Sequence, residues 1–225
     1  MSGVGRSEDE LERLKTHLRA LSVSLPGLIE RVQARADAVG HTLRPTLPDP
    51  ELERRRLAGI ADYLDRYARA DGGTIGWTDV REVLAEAVEL ARGELERKAQ
   101  LTVRYVAAPP VYANRQQLGH VFTSLLINAA QAIDVGTPAE NAIGVELDTT
   151  SQGWARVAIA DTGRGIDPGV LPLVFEPMFS TKRGAGLGLG LSLVREIIQN
   201  LGGGITVDST LGAGAMFVIE LPPVP

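Results

Sequence analysis

The sequence of 225 residues contains no cysteine. Disulfide bonds and thiolate metal sites are therefore excluded, and this absence is typical of proteins of the reducing cytoplasm. We accordingly expect a cytoplasmic location. Stability must come from burial of apolar side chains, and the hydrophobic content of 44% is ordinary for a globular chain.

Long apolar runs and excess positive charge are also missing. No stretch approaches the length of about eighteen apolar residues that a membrane-spanning helix needs, and the polar first residues do not resemble a signal peptide. We therefore expect no membrane span in this chain. The 23 basic residues are outnumbered by 28 acidic ones, which gives a net charge of −5. Without a basic field, nucleic acid is not an expected partner.

A heptad-like pattern dominates the first seventy residues. Apolar residues recur at alternating steps of three and four from Leu11 to Val32, which predicts a bundle helix. A proline-rich stretch, 44–50, separates this helix from a second one with the same spacing between Leu57 and Tyr67. The pair is predicted to form an antiparallel hairpin. Because one hairpin leaves its apolar seam uncovered, we expect a homodimer that forms a four-helix bundle.

A second domain is predicted beyond the glycine-containing linker at 71–73. The predicted boundaries are 1–71 for the helical hairpin and 78–225 for this domain. Its expected helices are 78–98, 115–133 and 191–201, and its expected strands are 101–106, 143–147, 154–160, 205–208 and 215–221. Helices interspersed with hairpin strands indicate an α+β sandwich, with helices on one face of a mixed sheet.

Asp161 lies in a sequence pattern that is typical of a ligand-binding residue. It follows the apolar run 157–160 and precedes Gly163 and Gly165, so it is predicted at a strand end where backbone can approach a ligand. A carboxylate there can accept a hydrogen bond from an exocyclic amine. The same residues would also suit an ordinary turn.

Four glycines at alternate positions lie between 184 and 190, directly before a predicted helix. Such a segment offers backbone N–H groups and a helix N-terminus to phosphate oxygens. A flexible loop would show the same pattern. A dinucleotide-binding fold is disfavoured, because no predicted strand directly precedes these glycines.

Asn128 lies on the helix predicted over 115–133. Together with Gln117, Ser124 and Gln131 it forms a polar stripe, and Asn128 lies where this stripe meets the apolar face. A half-buried amide needs a hydrogen-bond partner, which a neighbouring protein group can provide. Its oxygen is equally a hard ligand, suited to Mg²⁺ beside phosphates.

Four segments, taken together, resemble the N, G1, F and G2 boxes of the ATP-binding domain of histidine protein kinases. They are the segments 124–133, 161–165, 175–182 and 186–191. The resemblance extends over about Thr78 to Pro225. It implies membership of the GHKL superfamily, whose shared sandwich is the Bergerat fold, with ATP and Mg²⁺ as cofactors.

The resemblance implies roles for individual residues. Asn128 would hold Mg²⁺, and Asp161 would bind the adenine amino group. The turn that follows Asp161 would line the base pocket through Gly163, Gly165 and Ile166.

The remaining implied contacts belong to the lid and to the phosphates. Phe175, Thr181 and Lys182 would belong to the segment at the mobile lid. The residues that would wrap the phosphates are Gly186, Leu187, Gly188, Leu189 and Gly190.

The sequence departs from the family in two places. Ser124 stands where many relatives carry a second asparagine, which would loosen the metal site. The hairpin also lacks the family's histidine box, in which an acidic residue follows the histidine and proline comes five positions after it. If Pro26 is the matching proline, the acceptor position holds Leu21, which cannot accept phosphate.

Among the three histidines, His17 is the best-placed phosphoacceptor, because it lies on the first predicted helix beside the apolar seam. However, Leu18 follows it where a carboxylate would orient the imidazole, and an ordinary surface histidine is the alternative interpretation. His41 lies in a predicted loop. His120 lies on the helix that carries Asn128, so it is not a credible acceptor.

The function implied by the resemblance is that of a two-component signalling histidine kinase. Such a kinase binds Mg·ATP and transfers the γ-phosphoryl group to a histidine, then to an aspartate of a response-regulator receiver domain. The alternative is a degenerate dimeric scaffold or phosphotransferase of the same fold that binds nucleotide or regulator without autophosphorylation. The missing histidine box favours that alternative. An ATPase clamp is disfavoured by the heptad hairpin.

Overall fold

The computed structural model describes residues 74–134, 136–177, 179–180 and 188–223. The predicted hairpin with His17 and His41, and the linker at 71–73, lie outside the described residues. The same is true of four predicted site residues, Thr181, Lys182, Gly186 and Leu187. By internal contacts the chain divides into two units, 1–49 and 50–225, and every described residue belongs to the second. Within the described part, no helix is long and apolar enough to cross a membrane.

The described ranges contain strands and helices, and several strands follow one another directly in the chain. In chain order they are β1 (Ile75–Thr78), α1 (Val80–Glu96), β2 (Gln100–Tyr105), β3 (Val111–Asn114), α2 (Arg115–Ala132), β4 (Ala142–Thr149), β5 (Ala155–Asp161), a 3₁₀ turn (Leu171–Leu173), α3 (Gly190–Asn200), β6 (Gly204–Thr210) and β7 (Gly214–Leu221).

Within the described ranges, the main sheet has five strands in the order β2-β4-β5-β7-β6. Strands β2 and β4 are parallel, whereas every other neighbouring pair is antiparallel. A separate antiparallel pair joins β1 to β3. The predicted α+β fold with a mixed sheet is therefore confirmed. The predicted helix start at Thr78 is wrong, because Thr78 ends β1 and Asp79 caps α1 by accepting from the N–H groups of Arg81 and Glu82.

The core lies between the main sheet and the three helices. Strand β4 buries every second residue, Ile143, Val145 and Leu147, as the period of a half-buried strand requires. Helix α2 buries Phe122 and Leu126 on its opposing face. Alternation in the strands and the 3.6-residue period in the helices thus direct apolar side chains into one shared core.

Asn114 fixes the start of α2. Its side chain is 2% exposed, and its Oδ1 accepts from the N–H groups of Gln116 at 2.9 Å and Gln117 at 3.3 Å. These bonds satisfy two of the donors that a helix leaves unpaired at its first turn. Asn114 also pairs with Ile75 in the β1–β3 sheet. The cap therefore fixes the start of α2, and with it the polar stripe of this helix, relative to that sheet.

Gly214 brings β7 against the end of β5. Its φ is +92°, and a Cβ at this position would overlap the backbone carbonyl of Asp161. Any other residue would meet both a disfavoured backbone conformation and a steric clash with another strand. Glycine is therefore a structural requirement at this position.

We predict that Gly214→Ala lowers the free energy of unfolding by at least about 2 kcal/mol, because neither the backbone angle nor the neighbouring strand accommodates a methyl group. Gly144→Ala is the matched control, since Gly144 lies within β4 and a Cβ there meets nothing within 4 Å. Equilibrium urea denaturation measures both variants. Equal stability of the two variants would contradict the proposed clash.

Candidate functional site

Asp161 ends β5 with a side chain that is only 8% exposed. Its Oδ1 accepts from the backbone N–H of Gly163 at 2.8 Å, and the backbone N–H of Ala215 on β7 acts to lower the pKa of the carboxyl. Ala215 is the residue paired with Asp161 in the β5–β7 ladder. The carboxylate is consequently held by the backbone of the turn that follows it, at the strand end that the sequence predicted.

Burial raises the pKa of Asp161 above the ordinary value of an aspartate. The two backbone N–H groups and the charge of Arg164 act in the opposite direction, but loss of hydration is the larger effect. A carboxylate that has lost hydration gains from any further donor that reaches it. This is the electrostatic setting in which a ligand N–H group is bound selectively.

The turn after Asp161 is attached to the C-terminal end of α2. The N–H of Arg164 donates to the carbonyl of Ala132, the last residue of the helix, at 2.9 Å. The Arg164 guanidinium also pairs with Asp134 just beyond the helix. A Cβ on Gly163 would overlap the same Ala132 carbonyl. Gly163 is therefore needed for the close approach of the turn to α2.

The other side of the turn contacts the loop between β6 and β7. The N–H of Gly212 donates to the carbonyl of Arg164 at 2.7 Å, and the N–H of Ile166 donates to Ser209 Oγ at 2.9 Å. Gly165 has φ of +67°, and a Cβ there would overlap the carbonyl of Thr210. Both glycines of the turn are thus explained by the protein's own packing, which fixes the walls beside Asp161.

Helix α2 presents its polar residues in one sector. At about 100° per residue, Asn128 and Ser124 fall within about 40° of each other, and His120 lies a further 40° round the helix. All three side chains are half-buried. Asn128 lies one turn before Ala132, about 6 Å along the helix axis, so the polar sector leads to the helix end that holds the Asp161 turn.

Phe175 packs between β7 and α3. Its ring meets that of Phe217 edge to face, with centroids 6.2 Å apart, and the Arg195 guanidinium lies 6.0 Å from the centroid of Phe175. Arg195 also lies 3.8 Å from Glu176, measured between Nη1 and Oε1. The residues that precede the glycine-rich segment are therefore attached to the helix that follows it.

The glycine-rich segment leads into α3. Gly188 has φ of +69°, and Leu189 occupies the cap position, where its apolar side chain cannot accept from the first N–H groups of the helix. Gly190 is the first helical residue, and a Cβ built on it meets nothing within 4 Å. This helix terminus therefore has backbone donors without a side-chain cap from Leu189, and Gly190 beside them is exposed.

The donor chemistry on α2 fits Mg²⁺. This ion prefers hard oxygen ligands, and it commonly binds through one or two protein groups together with phosphate oxygens and water. The amide oxygen of Asn128 and the hydroxyl of Ser124 are such donors, one helical turn apart. Among the described residues, no cluster of three or more His, Cys, Asp or Glu side chains is arranged around a common point.

Sequence reasoning missed several residues that shape this site. Arg195 and Ser209 contact the site only through tertiary structure, and neither belongs to a local pattern. His120 was considered only as a phosphoacceptor. Its spacing of four residues from Ser124 was the signal that could have linked these two side chains.

The sequence matches one protein family over about half of its length. Residues 113–225 match the family described as histidine kinase-, DNA gyrase B- and HSP90-like ATPase. That range begins in β3 and contains α2, the turn after Asp161, Phe175 with its contacts Phe217 and Arg195, and the start of α3. Every described residue of the candidate site therefore lies inside the matched range.

Individual proteins are similar over longer ranges. The two-component sensor PprA of Pseudomonas aeruginosa is 39% identical over 252 residues, a match that covers 99% of this chain and 27% of PprA. This chain thus spans about a quarter of that relative's length. The solved structure of the mycobacterial sensor histidine kinase MprB is 29% identical, has a TM-score of 0.57 and covers 68% of this chain and 99% of its own.

Full-length ShkA, solved in complex with AMPPNP, shares the fold over a wider range. The superposition covers 94% of this chain and 45% of ShkA, with a TM-score of 0.61 and 22% identity.

Asp161→Asn should remove a pH-dependent part of the stability. A carboxyl whose pKa is raised by folding contributes stability that is present below its unfolded pKa, near 3.8, and is lost as the pH rises through the folded value. The stability of the variant minus that of the wild type should therefore increase as the pH rises from below 3.8 to neutrality. Urea denaturation across this range measures the difference, and a constant difference would contradict the raised pKa.

Proposed function

This chain belongs to the family of histidine kinase-, DNA gyrase B- and HSP90-like ATPases and has a histidine kinase catalytic core, and from that premise we propose that it binds Mg·ATP and works as a two-component signalling kinase. The γ-phosphoryl group passes to a histidine and then to an aspartate of a response-regulator receiver domain. As in phosphoryl transfer generally, the protein contributes positioning and charge stabilisation.

The buried carboxylate of Asp161 carries this proposal. It accepts a hydrogen bond from the backbone N–H of Gly163, and burial raises its pKa. A donor such as the exocyclic amino group of adenine supplies the hydrogen bond that such a carboxylate lacks from solvent. Gly163, Gly165 and Ile166 belong to the turn that forms the adjoining wall of the base pocket.

The phosphates are assigned to the start of α3 and to α2. The N–H groups after Gly188 and Leu189, at a terminus without a side-chain cap, suit phosphate oxygens. Asn128 is assigned to Mg²⁺. When bound, the ion neutralises phosphate charge, while Asn128 fixes its position relative to α2. Gly186, Leu187, Thr181 and Lys182 keep their predicted roles around the phosphates and the lid, although they lie outside the described residues.

The phosphoacceptor and the dimer are assigned to residues 1–71. His17 is the proposed acceptor, and the apolar seam from Leu11 to Val32 is the proposed dimer interface. Relatives such as PprA are named as two-component sensors, which supports a response regulator as the partner. The cytoplasmic location stays a prediction.

A second candidate function is favoured by the missing histidine box. With Leu21 in the position implied by Pro26, the chain would be a dimeric scaffold or phosphotransferase that binds nucleotide or regulator without phosphorylating itself. A scaffold that binds nucleotide would use the same site. It would then differ from the kinase only in whether label from γ-labelled ATP reaches the chain.

Asp161→Asn should weaken ATP binding by about tenfold to a hundredfold, because the amide can present a donor where the adenine amino group needs an acceptor. It should also reduce the preference for ATP over GTP. Isothermal titration calorimetry measures both affinities. Asp167→Asn is the matched control, since this exposed carboxylate caps a nearby turn by accepting from Gly169 N at 2.7 Å. Wild-type affinity in a folded Asp161→Asn variant would remove Asp161 from the base pocket.

If the chain autophosphorylates, His17→Gln should eliminate the acid-labile, alkali-stable label from γ-labelled ATP. Glutamine keeps polarity and size while removing the nucleophilic imidazole, so loss of label reflects chemistry more than unfolding. His41→Gln is the control and should retain the label. Absence of label in a wild type that binds Mg·ATP would favour the scaffold function, and loss of label only in His41→Gln would overturn the assignment of His17.

A further inference from the structure

Two neighbouring hydroxyls on α2 have different partners. Thr123 Oγ1 donates to the carbonyl of Gly119, four residues earlier, at 2.9 Å. This is the usual bond of a serine or threonine within a helix. Ser124 Oγ instead lies 3.4 Å from Nε2 of His120, also four residues earlier. One hydroxyl is thus directed to the helix backbone and the other to an imidazole.

The imidazole and the hydroxyl lie in the same polar sector as Asn128. His120, Ser124 and Asn128 follow one another at intervals of one helical turn, and each is half-buried. Packing into the described core does not account for His120, because this residue lies on the side of α2 opposite to its buried face. The pair is therefore placed to act on whatever Asn128 binds.

We propose that His120 is a positioning residue of the nucleotide site. Its Nε2 accepts the hydroxyl proton of Ser124, and the lone pairs of Ser124 Oγ are thereby turned toward the Mg²⁺-bound phosphates, beside the amide oxygen of Asn128. This inference rests on the proposed binding of Mg·ATP. It assigns to His120 a role other than that of phosphoacceptor.

The physical need for such a residue follows from the chemistry of serine. A serine hydroxyl rotates freely, and within a helix it competes for the carbonyl of residue i−4. If Ser124 bonded as Thr123 does, its hydroxyl proton would be donated to a carbonyl of the helix backbone. An imidazole acceptor removes that competition and fixes the oxygen before the ligand arrives, which lowers the ordering cost of binding.

A double-mutant cycle tests the pair in the full chain. The measured quantity is the ratio of AMPPNP dissociation constants in EDTA and in Mg²⁺, obtained by calorimetry. His120→Ala and Ser124→Ala should each lower this ratio about threefold to tenfold, the contribution of one hydrogen bond. The double variant should be no worse than Ser124→Ala, because His120 acts only through Ser124. Additive losses would overturn the inference.

Three further variants keep the test specific. Thr123→Ala removes the neighbouring hydroxyl, which bonds to the helix backbone, and should leave the ratio unchanged. His120→Gln retains an acceptor and should keep most of the coupling. Ser124→Asn should restore coupling in the His120→Ala background, since an amide oxygen needs no imidazole to orient it. Loss of coupling in Thr123→Ala, or failure of Ser124→Asn to restore it, would overturn the inference.

The outcomes separate this inference from the proposed function. A wild type that binds no nucleotide would overturn both. A wild type with Mg²⁺-dependent binding, together with unchanged coupling in a folded His120→Ala variant, would overturn only the role of His120. Circular dichroism establishes that each variant is folded before its affinity is compared.

Discussion

The close contact between the Asp161 turn and its two neighbours is the constraint on which the rest of the site depends. On one side the turn meets the last carbonyl of α2 at Ala132, and on the other it meets the end of β6 at Thr210. Only glycine at 163 and 165 permits both approaches. Because the turn is fixed from both sides, the carboxylate at the end of β5 keeps one position. Helix α2 is held at Ala132, one helical turn after Asn128.

Much of the fold could be predicted because its period is visible in the sequence. The alternation of Ile143, Val145 and Leu147 predicted β4, and the apolar face around Phe122 predicted α2, since these patterns bury one side of an element. Strands β1 and β3 were missed. Each has four residues and a single partner, so their alternation is too short to be recognised, and their pairing depends on contacts between distant segments.

The residues of the candidate site likewise fall into those that the sequence predicts and those that it does not. Asp161, Asn128 and the glycines could be predicted because their types and order resemble a known family's boxes. Arg195 and Ser209 could not, because each reaches the site from an element whose placement the sequence does not reveal. The glycines also had a second cause that the resemblance did not supply. At Gly163 and Gly165 the absence of a side chain is required by neighbouring backbone, so a ligand is not needed to explain these two glycines.

Asp161 therefore says more about function than the glycines do. A buried carboxylate whose pKa is raised by burial opposes folding in its charged form, and its two backbone donors do not cancel that effect. Packing alone is better served by an apolar or amide side chain at this position. A bound donor offsets the loss of hydration, which the packing of the turn does not. The missing histidine box concerns a different part of the chain, so it weakens the case for phosphoryl acceptance without weakening the case for nucleotide binding. Kinase and scaffold thus share one nucleotide site, and they are distinguished by the fate of the γ-phosphoryl group alone.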